Sequence, residues 1–572
     1  MRLSRPVAVL AAGALLGLAP VPAAQAVTTR TWYVDADATQ PGRGTPAAPF
    51  RTLAAVEQAS LAGDTIMVLP STEALDGGIR LKAGQRLVGV GPAVTGLSDT
   101  AAAPRVTNTT ATRLAGDAVR LANGATVRNL RIDDAFRGAI YGSETSGVTI
   151  VGNDVSGHNA GCVEGFLIPQ FNAPTNVPGV GIPIVGGLQN GWAGIMVDAA
   201  KRTGGTATIR GNHVHDAECG DGIDVRTSGT AAYDVAVTGN RIDGLRQGPA
   251  LASVLAIGLQ ARDSSSLAAL VDGNRQDDLG NADDLNLGPE GADSEGVFVN
   301  GVGPSTISVT VSGNRYTNVD GLGGFSANGL EMVTMGDGSR ARVVVRDSWF
   351  SGSPGDVIEE GALGTNARLD MVLDNVVAER STGVGNTLVL PFNNGDCVLA
   401  GSLGAGNDVR LTVRDSVLRD CANNGLSLGS NVVNGSGPTR NLSLDVDRTL
   451  VTGNRGGNLG IRNFTALRSL QVKVQRTDLS GSAGLGSAVA DVSAEDLGST
   501  SASSIDLGGG PLGSTGGNCI GGMLGADVIG LQVWARHAWW GRPEGPGLLS
   551  TLALGGWIDT GSPLSEAPAW CI

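Results

Sequence analysis

Aromatic residues are scarce in this chain, at 4%, and so are charged residues, at 16%. The low charge comes with an apolar fraction of 41%, too high for a disordered chain. Lysine is nearly absent: Lys82, Lys201 and Lys473 stand against 37 arginines. Acidic residues outnumber basic ones, 54 to 40, for a formal charge of −14. A net negative surface repels polyanions at long range, so nucleic acid is excluded as an expected partner. An acidic polysaccharide would need a local arginine patch or a bridging calcium. No C-x-x-C pair and no Cys/His ligand spacing occurs, which argues against structural zinc. No apolar run beyond the N-terminus reaches membrane-span length.

Glycine, by contrast, is abundant. It makes up 88 of 572 residues, about twice the usual level, with no collagen-type period. Glycine-rich, aromatic-poor sequence with many Val and Ile suggests short strands joined by tight turns. The N-terminus reads as a secretory signal over residues 1–26: Arg2 and Arg5, an apolar run from Val7 to Ala19, and Ala24-Gln25-Ala26 as a cleavage site. Export predicts disulfides among the six cysteines. Their order suggests three local pairs, Cys162 with Cys219, Cys397 with Cys421 and Cys519 with Cys571, though spacing alone leaves the connectivity open.

One pattern recurs along the chain. An apolar alternation ends in Gly-Asn or a variant of it, as in "VTIVGNDV", "ATIRGNHV", "VAVTGNRI", "ALVDGNRQ" and "VTVSGNRY". The anchors are Asn129, Asn153, Asn212, Asn240, Asn274, Asn314, Ser348, Asn375, Ser416, Thr449 and Thr477. A second short strand follows most of them, for example "GIMVDA" and "GIDVRTSG". Such self-similarity predicts a solenoid of stacked coils, one face of each strand turned inward. Asn at the recurrent turn is expected to take a left-handed conformation and bond its stacked neighbour. Roughly a dozen coils would make a rod about 55–60 Å long.

On these repeats the chain resembles the right-handed parallel β-helix superfamily, the pectin-lyase-like fold. The front end, "WYVDADATQPGRGTPAAPFRTLAAVEQASLAGDTIMVLPS", is similar to the N-terminal module of secreted bacterial β-helix proteins. The far end, "VIGLQVWARHAWWGRPEGPG", resembles their Trp-Trp-Gly closing segment. The expected fold is therefore all-β, a right-handed parallel β-helix of about 12 coils with an N-terminal helical cap. The cap and first coils take residues 27–125, the β-helix 126–525 and a closing segment 526–572. Thr52 to Ala62 reads as an amphipathic helix that plugs the open end. The resemblance specifies fold and leaves activity open, because the fold carries many activities.

Several stretches could hold chemistry. "GNHVHDAECGDGIDV", Gly211 to Val225, holds two of the four histidines. If Val214 points inward, His213 and His215 share the outer face. With Asp216, Asp221 and Arg226 they form the candidate catalytic set, acid/base or metal-binding; an ordinary coil with polar outward residues is the alternative. A long insertion follows Cys162, and its Phe166, Phe171 and Trp192 could wall a sugar-binding groove or pack as an apolar flap. The acidic loop holding Asp277, Asp278, Asp283 and Asp284 offers oxygen ligands for calcium, or is simply a solvated loop. "SPGDVIEEG" supplies Asp356, Glu359 and Glu360 as candidate paired carboxylates, or as outward polar residues of a coil.

Known enzyme patterns are missing. No G-H-G and no matching R-x-K accompany the Asp-Asp pairs, as a polygalacturonase would require. No nucleophile elbow supports a serine triad, and no glycine-rich stretch opens a helix to cradle phosphate. The expected function is an exported, monomeric protein that binds or processes extracellular or cell-wall polysaccharide, lyase- or hydrolase-like. The alternative is a non-catalytic glycan-binding surface or matrix protein. Carboxylates, histidines or arginines converging from adjacent coils would favour the enzyme; an aromatic and polar strip would suffice for the binder.

Overall fold

The computed structural model describes residues 29–97, 102–167, 189–246, 248, 253–280, 293–318, 327–383, 395–483, 489–521 and 524–571. Three sheets, of 17, 11 and 17 strands, carry the chain, with one small two-stranded sheet beside them. Each full coil visits them in the same order. Gly205–Arg210 lies in the first sheet, His213–Ala217 in the second and Ile223–Thr227 in the third. The next coil repeats this with Ala232–Thr238, Arg241–Leu245 and Ser253–Arg262. Pairing between coils is parallel in all three sheets. Crossovers of this kind are right-handed by the general rule for parallel strands.

Register explains the core. Ile209, Val237, Val271, Val311, Val345, Leu373, Val413, Val446 and Val474 stack one above another in the first sheet. All are nearly or wholly buried. The alternation read from the sequence thus becomes a single file of branched side chains, each worth about 1.5–3 kcal/mol on burial. The repeat has one more strand than the sequence suggested. A segment of three to five residues just after each anchor except Thr477 forms the second sheet, too short to show an alternation of its own.

The turn between first and second sheets also differs from expectation. Glycine takes the left-handed position, with φ near 60° at Gly152, Gly211, Gly239, Gly273 and Gly313. The following Asn is buried and builds a ladder. Asn212 Nδ2 donates to Asn240 Oδ1 at 3.0 Å and Asn240 Nδ2 to Asn274 Oδ1 at 3.0 Å. The backbone N–H groups of Asn212 and Asn240 reach the same oxygens at 2.9 Å. Asn129 and Asn375 prove to be one residue out of step. Each holds the left-handed position itself, φ 56°, and the next residue joins the ladder: Leu130 N–H donates to Asn153 Oδ1, and Val376 N–H to Ser416 Oγ.

The α-helix among the described residues is Leu53–Ala59, capped by Thr52, whose hydroxyl accepts from Ala55 N–H. It is shorter than the sequence suggested, and Leu53 and Val56 join the interior of the solenoid. The disulfides are Cys162–Cys219, Cys397–Cys421 and Cys519–Cys571. No described helix is long and apolar enough to cross a membrane.

Candidate functional site

The stretch that groups two histidines with carboxylates spans two faces of the solenoid. His213 and His215 leave the second sheet outward on either side of the buried Val214. Their rings stack, with centroids 4.0 Å apart and planes within 18°. His213 Nε2 lies 2.6 Å from Asp243 Oδ1, and His215 Nδ1 lies 2.7 Å from Asp216 Oδ2. The other ring nitrogens face Asp154 on the preceding coil, at 3.7 and 3.3 Å. Burial disfavours charge on His213, but the carboxylates of Asp154 and Asp243 outweigh it and raise its pKa to about 9. Asp216 holds a left-handed turn (φ 49°) and is mostly exposed.

Asp221 and Arg226 do not join the histidines. The chain turns between Ala217 and Ile223 and enters the third sheet. Asp221 is fully buried there, accepting from Leu255 N–H at 2.8 Å and from Asn190 Nδ2. Burial pushes its pKa up to about 7, and pushes that of neighbouring Asp224 well above the carboxylate range. Arg226 Nε donates to Asp198 Oδ1 at 2.9 Å.

Of the aromatic set, Phe166 falls in the strand Glu164–Leu167 and Phe171 lies outside the described residues. Trp192 packs against the solenoid wall, edge-on to Tyr141 at 5.2 Å, with the Arg137 guanidinium 3.9 Å from its ring. Of the acidic loop, Asp283 and Asp284 lie outside the described residues. Asp277 and Asp278 sit in the strand Arg275–Leu279, where Arg246 Nη2 donates to both Asp278 oxygens at 3.0 Å.

A second convergence of catalytic side-chain types is on the third sheet, around Asp356 and Glu359. Asn328, Asp356, Asp396 and Asn424 come from four successive coils. They form a second ladder, at the entry to the strands. Asp356 N–H donates to Asn328 Oδ1 at 2.9 Å, Asp396 N–H to Asp356 Oδ1 at 2.7 Å, and Asn424 N–H to Asp396 Oδ1 at 2.7 Å. One step along the strands, Glu359 sits in register with Glu331 and accepts from Asn328 Nδ2 at 3.0 Å. Four carboxylates from three coils therefore share one patch.

Burial raises the pKa values of Glu359, Asp396 and Asp356. Glu359 is pushed to about 7, opposed by the Asn328 hydrogen bond. Asp396 is pushed to about 7, opposed by Ser427, Asn424 and the Arg462 charge. Asp356 is pushed well above its ordinary value by burial and by the charges of Asp396 and Glu359. A narrow pocket beside Asp396 is lined by Asn423, Asn424, Ser427 and Arg462. The Cys397–Cys421 disulfide ties the coil of Asp396 to the next one, at one end of this patch.

Glu360 does not belong to the set. It turns inward, in register with Met332 and Ala400, and is fully buried. Neither of its oxygens has a hydrogen-bond partner. Adjacent residues on a strand face opposite ways, so the pair "EE" could never act on one face. The contribution of Asp396 was missed in the sequence. Its signal is an Asp or Asn two residues before an apolar strand residue, repeated in "SANGL", "SPGDVI", "NGDCV" and "ANNGL".

No protein-family model matches the chain, and no curated protein matches it in sequence. Solved structures similar in the course of the chain include the A-module of a mannuronan C-5 epimerase from Azotobacter vinelandii, 11% identical, covering 76% of this chain and 93% of that one, TM-score 0.33. A pectate lyase is 14% identical over 81% of this chain and 82% of that one, TM-score 0.26. A lacto-N-biosidase from Eubacterium ramulus is 11% identical over 77% and 68%, TM-score 0.31. What decides the fold is the pairing within the chain itself: three sheets, parallel from coil to coil. The chain is a parallel β-helix protein. In this β-helix the His213 group and the Asp356–Glu359–Asp396 group occupy different sheets, and so different faces.

Proposed function

We propose that this β-helix protein is exported, acts as a monomer and hydrolyses extracellular or cell-wall polysaccharide at the acid patch of the third sheet. The observation that carries the reading is the convergence of Glu331, Asp356, Glu359 and Asp396 from adjacent coils, with Glu359 and Asp396 both pushed to about 7. A carboxyl group near 7 holds its proton at neutral pH long enough to protonate a leaving oxygen. Glu331 and Glu359 stand on neighbouring strands, about 4.8 Å apart along the rod. Glycoside hydrolysis uses two such carboxyl groups, one as acid and one as nucleophile or base. We assign Glu359 as the acid and Glu331 as its partner, with Asp396 on the next coil, and Arg462 two coils beyond it, positioning the sugar. Elimination chemistry would instead need a strong base at the uronate, and the side chains gathered round Glu359 are carboxylates and the Asn328 amide.

The same acidity speaks for a neutral glycan. A uronate polymer would meet carboxylates here and a net charge of −14 overall. The three disulfides fit an oxidising compartment. The helix Leu53–Ala59 closes the first coils of a rod of about a dozen. Calcium at Asp277 and Asp278 would have to displace Arg246 from Asp278.

A second reading, glycan binding without turnover, is favoured by a strip on the second sheet, where the Arg315 guanidinium lies 4.2 Å from the Trp349 ring. Incubation of the mature protein with a polysaccharide panel separates the two. New reducing ends without unsaturated products support hydrolysis. Unsaturated products contradict it, and retention on one glycan without any cleavage supports the binder.

A further inference from the structure

The histidine group gathers three side chains with metal-ligating atoms on one outer face. Each imidazole makes one short contact to an outer carboxylate, 2.6 Å from His213 to Asp243 and 2.7 Å from His215 to Asp216. Each turns its second nitrogen toward the shared Asp154, at 3.7 and 3.3 Å. The first of these is beyond a hydrogen bond, and the second is long for a charged one. Two ligand atoms bound about 2.1 Å from one metal ion stand roughly 3.0–3.4 Å apart. The 3.3 Å distance falls within that spacing and the 3.7 Å distance just beyond it, and one ring must swing out of the stack for both nitrogens to aim at the same ion. The ligand atoms of Asp154, His213 and His215 all lie within 4.8 Å of one another.

The outer contacts fit the same reading. Metal-bound histidines characteristically donate their other ring N–H to a carboxylate, which fixes tautomer and orientation. Here both histidines have one. The strand supplies the rest: His213 and His215 are two apart on one face, and Asp154 is the register partner of His213 on the coil before. The histidine side chains keep 18% and 15% of their surface exposed, so one side of the group faces solvent. Arg131 Nε approaches Asp154 Oδ1 at 3.7 Å and leaves Oδ2 facing His213.

We propose that Asp154, His213 and His215 form a site for a divalent first-row transition metal of the zinc type, oriented by Asp243 and Asp216. Two imidazoles and one carboxylate suit such an ion and disfavour calcium, which takes oxygen ligands. Three protein ligands leave at least one position open to water or to an oxygen of a bound glycan.

The test uses the untagged mature chain, stripped with chelator and titrated calorimetrically with Zn²⁺ and with Ca²⁺. One zinc per chain is expected, with no calcium uptake over the same range. His213→Gln and His215→Gln should each weaken zinc at least tenfold, and Asp243→Asn, which keeps all three ligands, by about 10–100-fold. Glu359→Gln should leave zinc binding unchanged, which separates this site from the acid patch. The wild-type protein loaded with Co²⁺ should show ligand-field bands, a readout that needs no variant. The chain has four histidines in all, and His158 is buried with Nε2 held 2.7 Å from the Asp221 carbonyl. Absence of stoichiometric zinc binding, or zinc binding unchanged in the His213→Gln/His215→Gln double variant, would overturn the assignment.

Discussion

Glu360 is the residue most at odds with its surroundings. Its carboxyl group stands in the core file of the third sheet, between Met332 and Ala400, with no partner for either oxygen. Burial keeps its pKa well above the ordinary value. Glu360→Met matches the neighbouring Met332 and removes the polar group from the interior. We expect it to stabilise the fold by about 1–3 kcal/mol, read as a higher midpoint in urea at pH 7. Glu359, one residue earlier, faces outward and has a different prediction. Glu359→Gln does not lower the midpoint at pH 7, since it removes a carboxyl group that ionises at a cost, but it lowers hydrolysis about 10²–10⁴-fold. The two substitutions, side by side in sequence, distinguish a core position from a site position.

At the scale of the element, the Asn ladder makes a prediction of its own. Asn240 accepts two bonds from Asn212 and gives two to Asn274, besides a third from Nδ2 to the Ile209 carbonyl at 3.1 Å. Asn240→Ala strands the buried Asn212 donors on one side, takes a donor from Asn274 Oδ1 and the Ile209 carbonyl on the other, and should cost about 2–4 kcal/mol by denaturant titration. Gly239→Ala strains a left-handed turn at φ 60° and should cost about 1–2 kcal/mol. The first ladder was legible in the sequence because Gly-Asn repeats after an apolar alternation. The residue that turns left-handed was not, since either member of the pair can do so. The second sheet escaped notice because segments such as Arg315–Thr317 are only three residues long. The acid ladder escaped because its members are a mixture of Asn and Asp, and because residues 40 apart in sequence, such as Asp356 and Asp396, meet only once the coils stack. Likewise the sequence grouped Asp221 with His215, although a turn sends them to different sheets.

The whole molecule carries an unusual number of carboxyl groups with raised pKa values. Asp221, Glu359 and Asp396 lie near 7, and Asp224, Asp356 and Glu360 well above the ordinary range. In the unfolded chain these groups titrate near 4. Between about pH 4 and 7 the folded protein therefore binds more protons than the unfolded one, and stability falls as pH rises. Carboxylates with lowered values, such as Asp408 and Asp415, act the other way and cost stability below about pH 4. Thermal unfolding across pH should show its highest midpoint at mildly acidic pH and a decline toward pH 7. A midpoint that rises from pH 5 to 7 would contradict this. The Cys397–Cys421 bridge, 24 residues apart, should add about 3 kcal/mol by restraining the unfolded chain. Its removal would also loosen Asp396 and Asn424.

The most direct measurement is the initial rate of reducing-end release from a neutral polysaccharide, compared among the wild-type chain, Glu359→Gln and His213→Gln. The acid patch as the hydrolytic centre predicts a rate lowered at least a hundredfold in Glu359→Gln and close to wild type in His213→Gln. A full rate in Glu359→Gln, with the loss in His213→Gln instead, would contradict the account and move the chemistry to the second sheet.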